Sequence, residues 1–175
     1  MGTYTKLLQE QIHNEFTAAQ QYTAVAVWYD HQDLPRLAAH FYKQALEERN
    51  HAMMMVQYLL DKDLQPQVPG VGDVVNDFDN ALAPLELALE QEITVTKQIE
   101  TLARTARDES NYVGEQFMQW FLKEQVEEVS AMTTLVHVAK RAGDNLFHLE
   151  DFLAREVVFD SGRDATAPRA AGGAI

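Results

Sequence analysis

Four glutamates and one histidine carry the chemistry open to this chain. Glu48 and His51 stand three residues apart in "EERNHAMMM", a stretch with no Gly and no Pro that reads as helix, so both project from one helical face. Glu15, Glu92 and Glu128 each fall inside an otherwise apolar stripe. A carboxylate in apolar surroundings takes up a proton rather than stay charged, and burying four of them calls for compensation that a bound cation supplies. Oxygen ligands with one imidazole and no sulfur suit iron or manganese, with zinc a further candidate. The Glu-x-x-His spacing alone is not specific. It recurs at Glu10 and His13, off the apolar stripe, where it reads as solvated surface.

Long amphipathic helices must position these groups. Apolar residues at 3–4 spacing run from about Thr3 to Tyr29 through Leu8, Ile12, Ala19, Tyr22 and Val25. "DHQDLP" interrupts the pattern, with Asp33 a candidate N-cap and Pro35 suited to a first turn. A second helix is predicted from about Leu34 to Asp61, a third from about Leu82 to Glu109, and a fourth from about Tyr112 to Ala142 with Gly143 as its C-terminal stop. Between the second and third lies "DKDLQPQVPGVGDVVNDFDN", a long connection with two Pro and two Gly. About 18 extended residues reach roughly 60 Å, and a helix of about 28 residues is roughly 42 Å long, so this segment can cross a whole bundle. The chain is all-α: two helix pairs joined by one long crossover, an up-down-down-up four-helix bundle. A short fifth helix is predicted over about Asn145 to Glu156; its apolar face, too short to join the bundle, calls for a neighbouring subunit. Residues 1–156 form the bundle domain, and 157–175, rich in Gly, Ala and Pro, read as a flexible C-terminal tail and a candidate for docking to a partner.

The four carboxylates agree in height. Glu15 lies about as far from the start of its helix as Glu48 does from the end of the next, and Glu92 and Glu128 repeat the relation. All four converge near mid-bundle. Two hard cations bridged by Glu48 would use every group, with Glu15 and His51 on one and Glu92 and Glu128 on the other, an arrangement general to two-metal carboxylate sites in bundles.

Composition narrows the function further. Of 175 residues, 14 are Lys or Arg and 27 are Asp or Glu, a formal charge of −13 that argues against nucleic acid or an anionic membrane as partner and suits a protein that attracts cations. No cysteine is present, which excludes disulfides, thiolate metal sites and thiol chemistry. No apolar run approaches the ~20 residues of a membrane span. "MGTYTKLLQEQIHNEF" holds no signal-peptide core, and Lys6 departs from the myristoylation pattern, so a soluble cytoplasmic protein is the expectation.

With Glu15, Tyr22, "EERNH" (47–51), Glu92, "FMQWF" (117–121) and "EQVEE" (124–128), the chain resembles the non-haem bacterial ferritins in order and spacing from about residue 5 to 156. That resemblance implies a hollow homo-oligomeric shell of 24 subunits that oxidises Fe(II) with O2 or peroxide and stores ferric mineral. It implies that Glu15, Glu48 and His51 hold one iron, that Glu48, Glu92 and Glu128 hold a second, and that Glu47, Glu124 and Glu127, with Glu128, form a third, inward-facing site. It further implies that Gln125 stands beside the centre and that Tyr22 is a hydrogen-bonding, redox-capable tyrosine. Asp108 and Glu115 are candidates for an entry pore. Arg49 stands where haem-binding relatives carry Met after the bridging Glu, which argues against haem. Inner-surface nucleation clusters of some ferritins carry acids where this chain has Asn50 and Met53. The fourth helix has Gln125-Val-Glu-Glu128 and no second Glu-x-x-His, which weighs against a di-iron oxygenase acting on an organic substrate. A metal-free helical interaction protein is the remaining alternative.

Overall fold

The computed structural model describes residues 2–156 and 164–175. The described residues form five helices: α1 (Thr3–His31), α2 (Pro35–Asp61), α3 (Ala83–Asp108), α4 (Tyr112–Ala142) and α5 (Leu146–Glu156). α1 packs on α2 and α3 on α4, each pair joined by a short turn, and α1 also touches α3. The all-α bundle with a long crossover is as expected.

The crossover lies along α1. Gln9 and Gln67 exchange side chain–backbone hydrogen bonds, His13 Nδ1 meets the Gly70 carbonyl at 2.7 Å, the Thr17 hydroxyl accepts from Gly72 N–H, and Gln21 and Val75 repeat the exchange. These four side chains recur every fourth residue and so form one helical stripe. The track answers the backbone polar groups of a segment with no ladder of its own. It also gives His13 a structural role. The Tyr29 hydroxyl donates to Ala81 O near the far end. The chain thereby returns to the C-terminal end of α1, and α3 runs antiparallel to α1.

Helix ends are held partly across elements. Asn111 caps α4 as its type predicts, accepting from Gly114 N–H at 3.0 Å. Asp33 does not cap α2. It sits at φ 56°, Leu34 occupies the cap position, and Pro35 opens the helix. The orphan amides of Arg36 and Leu37 donate instead to the Glu150 carboxylate of α5, at 2.8 and 2.9 Å. Glu109, beyond the end of α3, serves the first amides of α1 in the same way.

The fifth helix corrects the sequence reading. Its apolar face is covered by its own chain: Leu149 and Leu153 are buried against the bundle, and α5 packs on α2 and α4. Eleven residues suffice because they close the end of the bundle rather than span its length. Phe147 alone among its large apolar residues stays outside, 84% exposed. Residues 157–163 lie outside the described residues, but 164–175 lie against α2 and α4, with Ala171 N–H on Met53 O and Ala167, Ala170 and Ala171 packed on the core.

The core divides into two apolar clusters. One holds Tyr22, Tyr29, Leu37, Phe41, Leu85, Met132 and Leu135 and is closed by α5. The other holds Tyr4, Leu8, Ile12, Met55, Leu59, Ile99, Leu102, Met118 and Phe121. Between them, on every long helix, lies a polar gap.

Candidate metal centre

The gap is where the sequence put its carboxylates. Glu15, Glu48, Glu92 and Glu128 are buried, one from each long helix, with His51 buried beside Glu48. Each is carried inward by the same 3.6-residue repeat that buries its apolar neighbours one turn away. Glu15, for example, follows Leu8 and Ile12 on the inner stripe of α1.

Three of the five meet directly. Glu15, Glu48 and His51 each offer one ligand atom, and these atoms lie within 4.8 Å of one another. His51 Nδ1 stands 3.4 Å from Glu48 Oε2. Edge contacts with Trp120 and Phe121, at centroid distances of 5.6 and 5.8 Å, hold the imidazole ring from the α4 side.

Glu92 and Glu128 belong to the same layer but are held by hydrogen bonds. The Tyr22 hydroxyl donates to Glu92 Oε1 and Gln125 Nε2 donates to Glu92 Oε2 at 3.1 Å. Gln44 Nε2 donates to Glu128 Oε2 at 3.3 Å and to Glu47 Oε2 at 2.7 Å. Tyr22 and Gln125 thus both bond the Glu92 carboxylate. Among the described residues, neither Glu92 nor Glu128 brings an oxygen into the compact triad.

The remaining acids lie outward. Glu47 is half-buried and pairs with Lys43, Glu124 is half-buried, and Glu127 is exposed with Lys123 at 3.8 Å. Burial pushes the Glu124 carboxyl up, with the nearby Glu127 and Glu47 charges adding to it. Among the described residues these acids do not form a compact ligand group of their own. Glu115, read as a pore candidate, pairs with Arg107 at 2.6 Å.

Electrostatics favour a cation. Burial, with the Glu48 charge behind it, pushes the Glu15 carboxyl well up. Burial and the Glu92 charge push Glu48 and Glu128 well up as well. Burial raises Glu92 to about 7, although the Tyr22 hydroxyl favours its ionised form. Carboxyls that hold protons against mutual repulsion give them up to a bound cation. Acceptor atoms are also left over: Glu15 Oε2, Glu48 Oε1, Gln44 Oε1 and Gln125 Oε1 are buried without a hydrogen-bond partner. Unanswered acceptors from three helices beside the carboxylate of the fourth, with one imidazole and no sulfur, fit a divalent cation of the iron class.

Sequence reasoning missed two residues that hold the layer. Gln11 donates to Glu15 Oε1 at 2.8 Å, and Gln44 ties Glu128 to Glu47. Each is a buried amide four residues before a glutamate of the layer, on the same inner stripe. That spacing was visible, but an amide on an apolar stripe carries no charge to flag it.

Comparison with known proteins points the same way. The family model described as "Ferritin-like domain" matches residues 5–142. "Ferritin BfrB" of Mycolicibacterium smegmatis is 65% identical over 169 residues, covering 97% of this chain and 93% of that protein. A "Bacterial non-heme ferritin" of Staphylococcus aureus is 33% identical over 138 residues, covering 79% of this chain and 83% of that one. Among solved structures, an open pore ferritin from Archaeoglobus fulgidus superposes with a TM-score of 0.84 at 27% identity, over 88% of this chain and 96% of that one. With its helix order, its carboxylate layer and its relatives in agreement, the chain belongs to the ferritin family of iron-storage proteins.

Proposed function

We propose that this protein is a ferroxidase: it oxidises Fe(II) at the mid-bundle layer and passes Fe(III) to a mineral held inside a shell of its own copies. The carrying observation is the buried triad of Glu15, Glu48 and His51, with ligand atoms within 4.8 Å of one another. Fe(II) is the substrate. One ion binds at Glu15, Glu48 and His51, and a second at Glu48, Glu92 and Glu128. Each Fe(II) gives up one electron, so a pair reduces O2 to peroxide, or peroxide to water. The residues bind, neutralise charge and orient. Gln11 holds Glu15 and Gln44 holds Glu128, while Tyr22 and Gln125 clamp Glu92 until the second ion draws it in. Tyr22, hydrogen-bonded to a ligand, is placed to supply an electron when only one Fe(II) is bound.

Glu47, Glu124 and Glu127, with Glu128, serve as a third, weaker station for iron leaving the centre. The half-buried Glu47 and Glu124, the exposed Glu127 and the Gln44 link between Glu47 and Glu128 support that role. The exposed Phe147, Tyr112 and Val126 supply apolar surface for subunit contacts. No helix among the described residues is long and apolar enough to cross a membrane. At position 49 an arginine offers no thioether to haem.

Stopped-flow absorbance after mixing Fe(II)-loaded protein with O2 tests the reading. Glu48→Ala and His51→Ala should each abolish the fast phase. An undiminished fast phase in both overturns the proposal. Small-angle scattering tests the shell, where a small solid oligomer is the adverse result.

A further inference from the structure

The segment 164–175 meets the bundle at three anchors. At one end, Trp120 Nε1–H donates to Asp164 Oδ2 at 2.9 Å. In the middle, Ala171 N–H reaches Met53 O at 3.0 Å. At the other end, the Asn50 side chain exchanges two hydrogen bonds with the backbone of Ile175. Small side chains at 167, 170 and 171 let this backbone lie close against the core.

Asn50 and Met53 flank His51 on α2, and Trp120 touches it from α4. The imidazole stands edge-on to two rings, Trp120 at 71° and Phe121 at 76°, and those rings stand at 89° to each other. Phe121 is fixed by burial, at 2% exposure. Trp120 is only partly buried. What pins it is Asp164, whose carboxylate is in turn held by the backbone and hydroxyl of Thr166, at 2.8 and 2.7 Å from Oδ1. A chain of contacts therefore runs from the tail to a metal-ligating ring, Thr166 to Asp164 to Trp120 to His51. Metal affinity is sensitive to such outer supports, because they fix the orientation of the ligand that does the binding.

We infer that Asp164 is a positioning residue for the metal centre, acting through Trp120 on the His51 ring, so that docking of residues 164–175 sets how tightly Glu15, Glu48 and His51 hold a divalent cation. The inference rests on the metal-site reading above. It also gives the covered face a function: the Asn50 side chain and the Met53 backbone carbonyl hold the tail there.

The experiment uses the full chain and Co(II), which is read without turnover. The chain has two tryptophans, so a Trp28→Phe background isolates the emission of Trp120. In that background Asp164→Ala should shift Trp120 emission to the red and raise its quenching by acrylamide. Co(II) affinity, followed by calorimetry and by the cobalt absorption bands, should fall on the order of tenfold. Asp164→Asn keeps an oxygen that accepts from the indole, so emission and affinity should return to within about threefold of the parent. A red shift with unchanged Co(II) affinity overturns the inference, as does unshifted emission in Asp164→Ala. Equal loss in the Ala and Asn variants overturns it too, because charge rather than the indole hydrogen bond would then be at work. If the parent itself takes up no Co(II), the metal-site reading fails and this inference with it; binding by the parent with an indifferent Asp164→Ala removes this inference alone.

Discussion

The apolar layers at the two ends of the bundle and the carboxylate layer between them stand on the same four helices with the same repeat, yet they answer opposite demands. In the layer around Phe41 the inward rings find partners within the chain: Phe41 packs against Tyr22 and Tyr29 at centroid distances of 5.5 and 5.6 Å. In the carboxylate layer the inward residues are answered only in part, with Glu15 Oε2 and Glu48 Oε1 left over. The apolar layers are complete as folded. The middle layer is complete only with something positive in it. Stability is thus supplied at the ends, and the centre draws on it to hold four carboxylates at one level.

That difference can be broken from either side. Phe41→Ala, at an apolar end, should have the largest effect. It leaves a ring-sized cavity, costing about 3–5 kcal/mol and lowering the melting temperature of the metal-free protein by about 10 °C. A melting temperature unchanged by this substitution would mean that the end layers do not carry the fold. Next comes pH. Glu92 titrates near 7 in the folded chain against an ordinary 4.5, and Glu15, Glu48 and Glu128 are pushed up in the same direction. Between those values the folded state binds more protons than the unfolded state, so stability falls as pH rises. Metal-free protein should lose on the order of 3 kcal/mol between about pH 5 and 8 from Glu92 alone. Co(II) should restore it, since the cation replaces the protons. Calorimetry across that range checks the sign, and a melting temperature that climbs with pH contradicts the account. A third change is smaller and opposite in direction. Glu48→Gln replaces a carboxyl whose ionised form burial and the Glu92 charge disfavour with a permanently neutral amide, and should raise the stability of metal-free protein at pH 8 by about 1 kcal/mol while abolishing stabilisation by Co(II). A marked destabilisation instead would make Glu48 a structural hydrogen-bonding group.

The sequence revealed this contrast unevenly, for physical reasons. The helices and the height of Glu15, Glu48, Glu92 and Glu128 were legible because burial follows the 3.6-residue repeat and a charge on an apolar stripe breaks it visibly. Asn111 and Gly143 were legible because their roles are local. What escaped depends on partners far along the chain. His13 is within helix reach of Glu10 but is used by Gly70, 57 residues on. Gln44 is an unremarkable helix residue until α4 brings Glu128 within 3.3 Å of it. The α5 helix looked stranded because part of its cover comes from α2, far back in the sequence, as well as from α4. In the tail a composition of Gly, Ala and Pro reads as flexible, yet those small residues are what allow 167–171 to lie close to the core.

Glu150 offers the finest test, because it is a carboxylate satisfied in the other way. It too is only partly exposed, but the amides of Arg36 and Leu37 supply its positive partner at the first turn of α2. A helix N-terminus meets a carboxylate with fixed N–H groups and a favourable dipole, so this charge needs no ion. Glu150→Ala should cost about 1 kcal/mol, the usual worth of a lost cap. The decisive quantity is how that cost responds to metal. Because Glu150 is answered within the chain, its removal should lower the melting temperature equally with and without Co(II) and leave the pH profile parallel to that of the parent. Glu48→Gln should do neither. If the Glu150→Ala deficit changed with Co(II), the end of the bundle would be coupled to its centre through α2, and the division between self-sufficient ends and a cation-dependent middle would have to be redrawn along that helix.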